Sequence, residues 1–404
     1  MFSFLSLRSR WLVVALAACG MVATLPGRTV GLGLITEPLL GELNLARTVF
    51  ARMNLVATLL GSGFALVAGP LMDRWGARCI LSLTLLVLGG LVMMMSQWVT
   101  AATITLFLIL TRGVGQSALS TVSVTALCKR FTKGLAMAMG VFSVLVALGF
   151  SVAIVTAQAQ IEVLGWRQVW RVLGIGIFLL GLVCAVGFRS GPTLEVASME
   201  EATEVQDSFT LRQALGIPCF WVFSISMALY GGLLAAVSLF NESILLELGF
   251  GSTTFRYAMA GLMGAGLFGN LLAAWASKRF GVTPVFGSSL ALLTLALVFY
   301  PYLQTQTQVI LHASVYGFCG GVFTVLFFTS FGHTFGPKHL GKIQGVAQAL
   351  AVVASALGPW WLASQQEIAG SYFPAMSMMV IPFAIVTVLA WLTRMPERAA
   401  LKQP

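Results

Sequence analysis

The chain has 404 residues, 58% of them hydrophobic and only 9% charged, with a mean hydropathy of +0.93 and a formal net charge of +10. That balance excludes an ordinary water-soluble globule, in which about a quarter of residues are charged. It also excludes a large soluble domain beside a membrane anchor, because little sequence remains once the apolar segments are removed.

In chain order, apolar segments long enough to cross a bilayer fall at 11–40, 47–68, 79–99, 102–127, 135–159 and 168–188, then at 218–246, 254–276, 284–303, 308–333, 340–365 and 372–394. A spanning helix needs roughly 20 apolar residues and a spanning strand about ten that alternate, so these segments predict twelve helices. Most of the 23 Lys and Arg, among them Arg74, Arg78, Lys129, Arg130, Lys278 and Arg279, fall on one side of the membrane in this threading. Basic loops face the cytoplasm, so both termini are expected there, in a multi-pass cell (inner) membrane protein. The net charge reads as this topology bias, and no nucleic-acid partner is expected because the basic residues are scattered.

The first segment carries Arg28 past its midpoint in "ATLPGRTVGLGLITEPL". A charge there costs at least ~2.5–3.5 kcal/mol unless it faces water or a partner. Pro26 removes a backbone hydrogen bond, and Gly27, Gly31 and Gly33 loosen the helix, which predicts a bent segment lining a cavity. The fourth segment adds Arg112 in "LTRGVGQSALS", followed by Gln116. Two cations in one low-dielectric cavity repel unless an anion lies near. Glu37 is nine residues from Arg28, on the opposite side of an ideal helix, so a direct salt bridge between them is not the default. Guanidinium groups bind carboxylate or phosphate bidentately, which makes the missing counter-ion a candidate substrate. Arg28 has the alternative of snorkelling or pairing with a Glu near the outer face.

Residues 189–217 break the apolar rhythm with Glu195, Glu200, Glu201, Glu204 and Asp207. They read as a cytoplasmic linker, with "SFTLRQAL" as a short amphipathic helix, between six-helix bundles at 1–188 and 218–404. The halves align in the register that lays 36–50 over 241–255. It pairs Glu37 with Glu242, Glu42 with Glu247, Gly76 with Gly281 and Gly165 with Gly370. An internal repeat follows, and two parallel repeats form the architecture of a rocking transporter. Glu37 and Glu242, each near the outer end of its helix, are candidates for proton coupling or, equally by symmetry, for anchoring loops. Tyr230 and Asn241 in the seventh segment, with Gln116, are candidate neutral ligand contacts. His312, His333 and His339 make no metal cluster, and the six cysteines read as packing residues, so no metal or cofactor is expected.

The most specific motif is "GPLMDRWGARCIL" at 69–81. It resembles the signature of the major facilitator superfamily, with Gly69, Asp73, Arg74, Gly76 and Arg78 in its positions. The resemblance implies an all-α membrane fold of two pseudo-symmetric six-helix bundles, and a cytoplasmic gate latched by this loop. It also implies an alternative for Arg112, since the family often has an Arg in the fourth helix: a structural bond to neighbouring helix backbone, or support of proton coupling. "KRFTKGLAMAMGVF", "GWRQVW" and "GPKHLGKIQG" further resemble the monocarboxylate and oxalate-formate branch. The eighth segment lacks that branch's Asp and Arg, and the eleventh its Lys, so no cargo is carried over. The expected function is secondary transport of a small organic anion of carboxylate type by alternating access, with proton coupling an option and a monomer as the default. The alternatives are efflux of lipophilic drug-like compounds and a non-transporting sensor. No nucleotide loop, HExxH or nucleophile with a base supports an enzyme.

Overall fold

The computed structural model describes residues 2–130, 135–187, 209–335 and 340–393. Within them twelve helices follow one another in the predicted order. Helix α1 comes in pieces: Phe2–Val22, a 3-10 turn at Leu25–Gly27, Thr29–Gly33 and Thr36–Leu43. Pro26 has no N–H to donate, and Arg28 is extended (φ −91, ψ 153), so the helix restarts at Thr29. Helix α2 is Arg47–Ser62 and continues past Gly63 into the element Phe64–Trp98. That element breaks at Gly76 (φ 80, ψ 157), and α3 runs from there to Trp98. Helix α4 is Ile104–Thr111, a π-helical stretch Arg112–Leu119, and Ser120–Arg130. Helices α5 (Leu135–Leu164) and α6 (Trp166–Gly187) complete the first half.

The second half opens with a short connector helix, Leu211–Leu215. Its start is fixed by a capping box, in which Thr210 accepts from the Gln213 backbone while Gln213 accepts from that of Thr210. It falls where the sequence predicts the surface helix; residues 189–208 of the linker lie outside the described residues. Then come α7 (Pro218–Glu247), α8 (Ser252–Phe280), α9 (Val282–Phe299, closing in a 3-10 turn at Tyr300–Tyr302), α10 (Gln306–Phe335), α11 (Leu340–Ala369) and α12 (Phe373–Leu392).

Among the described residues, nine helices are long and apolar enough, unbroken, to cross a membrane. Helices α1, α2 and α4 are interrupted in the middle, by the Pro26 turn, the step at Gly63 and the π stretch. Large apolar side chains stand exposed on the outer faces, Val186 and Ile368 at 80% and Leu392 at 73%. Trp75, Trp98, Trp275 and Trp391 are exposed toward helix ends, as suits a lipid-facing surface with interfacial aromatics.

The chain divides into two compact units, Met1–Ala197 with Ser238–Glu242, and Ser198–Val237 with Ser243–Pro404. In the first, α3 packs along α6 and α1 along α5 and α4; in the second, α8 packs along α10 and α9 along α12. The backbone records the repeat. Among the described residues the positive-φ positions are Asn44, Gly76, Gly165, Gly249, Gly281 and Gly370. These are three pairs in the sequence register, Asn44 with Gly249, Gly76 (φ 80) with Gly281 (φ 90), and Gly165 (φ 78) with Gly370 (φ 71). Each pair turns the chain at the same helix junction of its half. A second pair of features obeys the same register. Glu42 accepts from the Trp166 indole at 2.9 Å and the Arg167 guanidinium at 2.6 Å, and Glu247 accepts from the Ser371 hydroxyl and the Tyr372 amide. In each half, then, an acid ending the first helix holds the start of the sixth.

Candidate functional site

The interrupted helices α1 and α4 meet each other. A Cβ on Gly27 would stand 2.3 Å from the Thr111 carbonyl oxygen and 3.3 Å from the Gln116 amide, so only glycine lets the α1 turn rest on the start of the π stretch. A π turn inserts an extra residue into an α-helix, is rare, and is frequently found at functional sites. Here it begins at Arg112, and the α1 break places Arg28 directly beyond Gly27.

The two guanidiniums cross between the helices. Arg28 of α1 donates through Nη2 to the Ser120 hydroxyl of α4 at 3.0 Å and to the Met21 sulfur at 3.1 Å, and through Nε to Thr24 at 2.6 Å. Its Cζ lies 5.2 Å from the centroid of the Phe150 ring of α5. Arg112 of α4 donates in return to the Thr29 hydroxyl of α1 at 3.1 Å, to Gln116 one turn on at 2.7 Å, and to the side-chain oxygen of Asn54 on α2. Arg112 is 1% exposed, whereas Arg28 is half-buried.

Every one of these acceptors is neutral: hydroxyl, thioether, amide or ring. No carboxylate among the described residues lies within salt-bridge distance of Arg28 or Arg112. Two acids of the first unit meet other bases, Glu37 pairing with Arg47 at 2.7 Å and Glu42 with Arg167 at 2.6 Å. A buried ion without an opposite charge is expensive, and hydrogen bonds to neutral dipoles offset the cost only in part. The offset here is incomplete, since Arg112 Nε and Asn54 Nδ2 are buried without partners.

The remaining predicted residues distribute as follows. Gln116 belongs to the Arg112 network. Tyr230, in the second unit, is 7% exposed and donates to the Tyr316 carbonyl at 3.3 Å, with its ring edge-on to Phe323. Asn241 is buried and hydrogen-bonded or otherwise engaged, and Glu242 is half-buried. In the α2–α3 loop motif, Gly76 makes the left-handed turn and Arg78 donates through Nε to the Ala185 carbonyl at 2.7 Å, capping the end of α6. Arg74 is exposed. The side chain of Asp73, the surroundings of Gly69, the His333 side chain and His339 lie outside the described residues.

Sequence reasoning missed Thr24, Thr29, Asn54, Ser120 and Phe150. Asn54 left a signal, as the one amide in the apolar run of α2. The hydroxyls left none, because Ser and Thr are common in spanning helices and usually bond their own backbone.

Residues 12–359 match the Major Facilitator Superfamily. The chain belongs to that superfamily. It is therefore a multi-pass membrane transporter, working on small molecules, and not an enzyme. Solved major facilitator structures superpose on nearly the whole chain at low identity, which shows the shared fold. A bacterial homologue of the human lysosomal transporter Spinster, inward-facing and unoccupied, matches with a TM-score of 0.72 at 14% identity, over 95% of this chain and 96% of that one. Its occupied form matches with 0.69 at 16% identity, over 95% of each. The nucleoside transporter NupG matches with 0.74 at 12% identity, over 97% of this chain and all of the other. No curated protein matches the chain in sequence.

Proposed function

We propose that the protein is a secondary transporter of a small organic anion, and that Arg28 is the residue that takes the acid group. The observation that supports this is the guanidinium pair at the α1–α4 crossing, in which every protein partner is neutral. Arg28 carries the contact because it is half-buried, and its Nη1 has no hydrogen bond among the described residues. Arg112 stands behind it. Its bond to Thr29, the next residue along, fixes the backbone that aims Arg28, and its charge adds to the field an anion enters. Gln116, in the Arg112 network, supplies a neutral contact in this reading, and Tyr230 and Asn241 stand as candidates on the sequence alone. A carboxylate meeting Arg28 would form the charge-assisted, bidentate pair that none of its present partners provides.

The bundles are assigned to 1–188 and 218–404 with a linker at 189–217, the cytoplasmic gate to Asp73, Arg74 and Gly76 with Arg78 as its brace, and both termini to the cytoplasm of a cell (inner) membrane, as a monomer. Of the two acids weighed for proton coupling, Glu242 is the better candidate, because Glu37 is committed to Arg47. The monocarboxylate and oxalate-formate branch fits this assignment and rests on the sequence stretches alone.

The test is thermal stabilisation of the purified protein by mono- and dicarboxylates and organophosphates, on wild type, Arg28→Gln and Arg112→Gln, with counterflow of the best binder in proteoliposomes. Stabilisation lost in Arg28→Gln with exchange of label in wild type supports the reading. Equal stabilisation of wild type and Arg28→Gln, or stabilisation by cations only, overturns it. Retention of label without exchange would make the protein a sensor.

A further inference from the structure

The crossing of α2 with α4 recurs in the second half as that of α8 with α10, once with a charge in it and once without. Asn54, Thr58 and Gly61 stand at i, i+4 and i+7 on α2 and share the face that meets α4. A Cβ on Gly61 would lie 3.0 Å from the Gly113 amide nitrogen and 3.2 Å from the Arg112 Cβ, so the two helices come close to backbone contact there. The repeat register takes Asn54 to Met259, Gly61 to Gly266 and Arg112 to Gly317. A Cβ on Gly266 would lie 3.2 Å from the Gly317 carbonyl oxygen, so the second half makes the same close approach within its own unit. Met259 is buried, as Asn54 is. The second half makes this crossing with no amide and no guanidinium at these positions, so the packing of the helices does not itself require Asn54 or Arg112.

Asn54 is also an imperfect partner for Arg112. A guanidinium has five N–H donors and no acceptor, so an amide can offer it one atom only, its oxygen. Asn54 does so, to Nη2. Its own Nδ2, and Arg112 Nε on the same edge of the guanidinium as Nη2, are buried donors with no hydrogen-bond partner among the described residues. A buried donor left unmatched is destabilising. Aspartate has the same shape, exchanges the surplus donor for a second acceptor, and meets a guanidinium edge through both oxygens. An ion already buried gains most from an opposite charge in good geometry, since removing one partner of a buried pair is strongly destabilising. Hydrogen bonding and charge pairing thus both favour aspartate at position 54. Such a residue would also neutralise Arg112 from within the protein.

We propose that Asn54 sets the charge selectivity of the site, anchoring Arg112 through a neutral bond and so leaving both positive charges to the cargo. The proposal rests on the reading that an anion engages Arg28, and it adds the residue that keeps the chain from supplying the counter-ion itself. Stability given up at a place where activity needs it is a common trade-off in proteins.

The test sets stability against affinity in the full-length protein. Wild type, Asn54→Asp and Asn54→Leu are unfolded thermally in detergent with formate, butyrate, succinate and phenyl phosphate at fixed ionic strength, and counterflow of the best wild-type binder is measured in proteoliposomes. Asn54→Asp should unfold at or above the wild-type temperature, need at least tenfold more anion for half-maximal stabilisation, and lose at least tenfold in counterflow. Asn54→Leu removes the anchor and should fall in stability and affinity together. A merely structural role would move both in one direction for every variant, so the opposite signs in Asn54→Asp carry the proposal. Gln116→Glu places a carboxylate on the other prong of Arg112, where Gln116 accepts from Nη1 at 2.7 Å on a half-buried side chain. It should weaken anion binding at least tenfold relative to its uncharged control, Gln116→Met, and it decides the matter if Asn54→Asp does not fold. A folded Asn54→Asp that binds the same anion within tenfold of wild type overturns the proposal and leaves the anion reading standing. Wild type that none of the four anions stabilises overturns the anion reading, and the proposal with it.

Discussion

Gly27→Ala puts a methyl group where the structure has no room for one. The new Cβ would lie 2.3 Å from the Thr111 carbonyl oxygen and 3.1 Å from its carbon, and both are backbone atoms inside α4. Relief requires α1 to move off α4 by about 1 Å, an overpacking change that costs roughly 1–3 kcal/mol. The same movement stretches the two bonds that cross between the helices, Arg28 to Ser120 at 3.0 Å and Arg112 to Thr29 at 3.1 Å. A further ~1 Å takes both beyond hydrogen-bonding distance. Bonds from charged donors contribute about 1.5–3 kcal/mol each, so loss of either leaves a guanidinium still worse matched to its site. The expected outcome is a clear fall in thermal stability in detergent and at least a tenfold loss of counterflow. Gly41→Ala is the control, because that glycine is also helical yet nothing lies within 4 Å of its added Cβ. It should hold or slightly raise stability, since alanine is the better helix former. Gly27→Ala behaving like Gly41→Ala would refute the claim that the α1–α4 contact holds the cationic site together.

Three further outcomes follow from the outer latch, the turns and the acids. The Arg167 hydrogen bond to Glu42, foremost, holds that carboxyl below the usual carboxylate range, so its contribution is present above the unfolded pKa and is lost as pH falls through the folded one. Glu42→Gln should lower the unfolding temperature at neutral pH, by an amount matching ~1 kcal/mol for an exposed pair, and should flatten the acid limb of the stability–pH curve. Gly76→Ala and Gly281→Ala should each cost about 1–3 kcal/mol in thermal unfolding, and the same amount as each other. Both carry φ near 80–90° and ψ near 160°, a region essentially reserved to glycine, and neither added Cβ meets a clash. Glu242→Gln should remove the dependence of uptake on an imposed pH gradient while leaving counterflow intact, and Glu37→Gln should leave the gradient dependence in place.

The sequence shows the fold more fully than the site, for a physical reason. Spanning helices must bury their hydrogen bonds and expose apolar side chains, so each writes a long run that survives in any one sequence. The repeat is legible through its turns, because a glycine at φ near +80° has no substitute; Gly76, Gly165, Gly281 and Gly370 stand in register before any coordinates are known. Arg28 and Arg112 are legible as charges out of place. What the sequence hides is their company. Glu37 is the acid nearest Arg28 along α1, yet the α1 break turns it toward Arg47, while Arg28 finds Ser120 on another helix. The π stretch is equally hidden, since "RGVGQSAL" has the composition of any small-residue helix face, and only the crossing with Gly27 shows why the helix widens there.

Arg112→Lys separates the shape of the charge from the charge itself. Arg112 reaches three helices at once, with Nη1 on Gln116 of α4 and Nη2 on Thr29 of α1 and Asn54 of α2. Lysine keeps the charge but ends in one nitrogen on a shorter reach, so it cannot hold acceptors on both sides of a planar fork. At least one of Thr29, Asn54 and Gln116 then loses its partner, at about 1–3 kcal/mol if it is Asn54, which is fully buried, and less for the half-buried Thr29 or Gln116. If Arg112 acts only through its field, Arg112→Lys should transport like wild type, and Arg112→Gln alone should fail. If it acts by aiming Arg28 through Thr29, Lys and Gln should fail alike in counterflow and both should weaken anion-dependent thermal stabilisation at least tenfold. The buried three-way fork favours the second outcome; a fully active Arg112→Lys would reduce Arg112 to a source of positive potential and leave the geometry of the site to the α1 break alone.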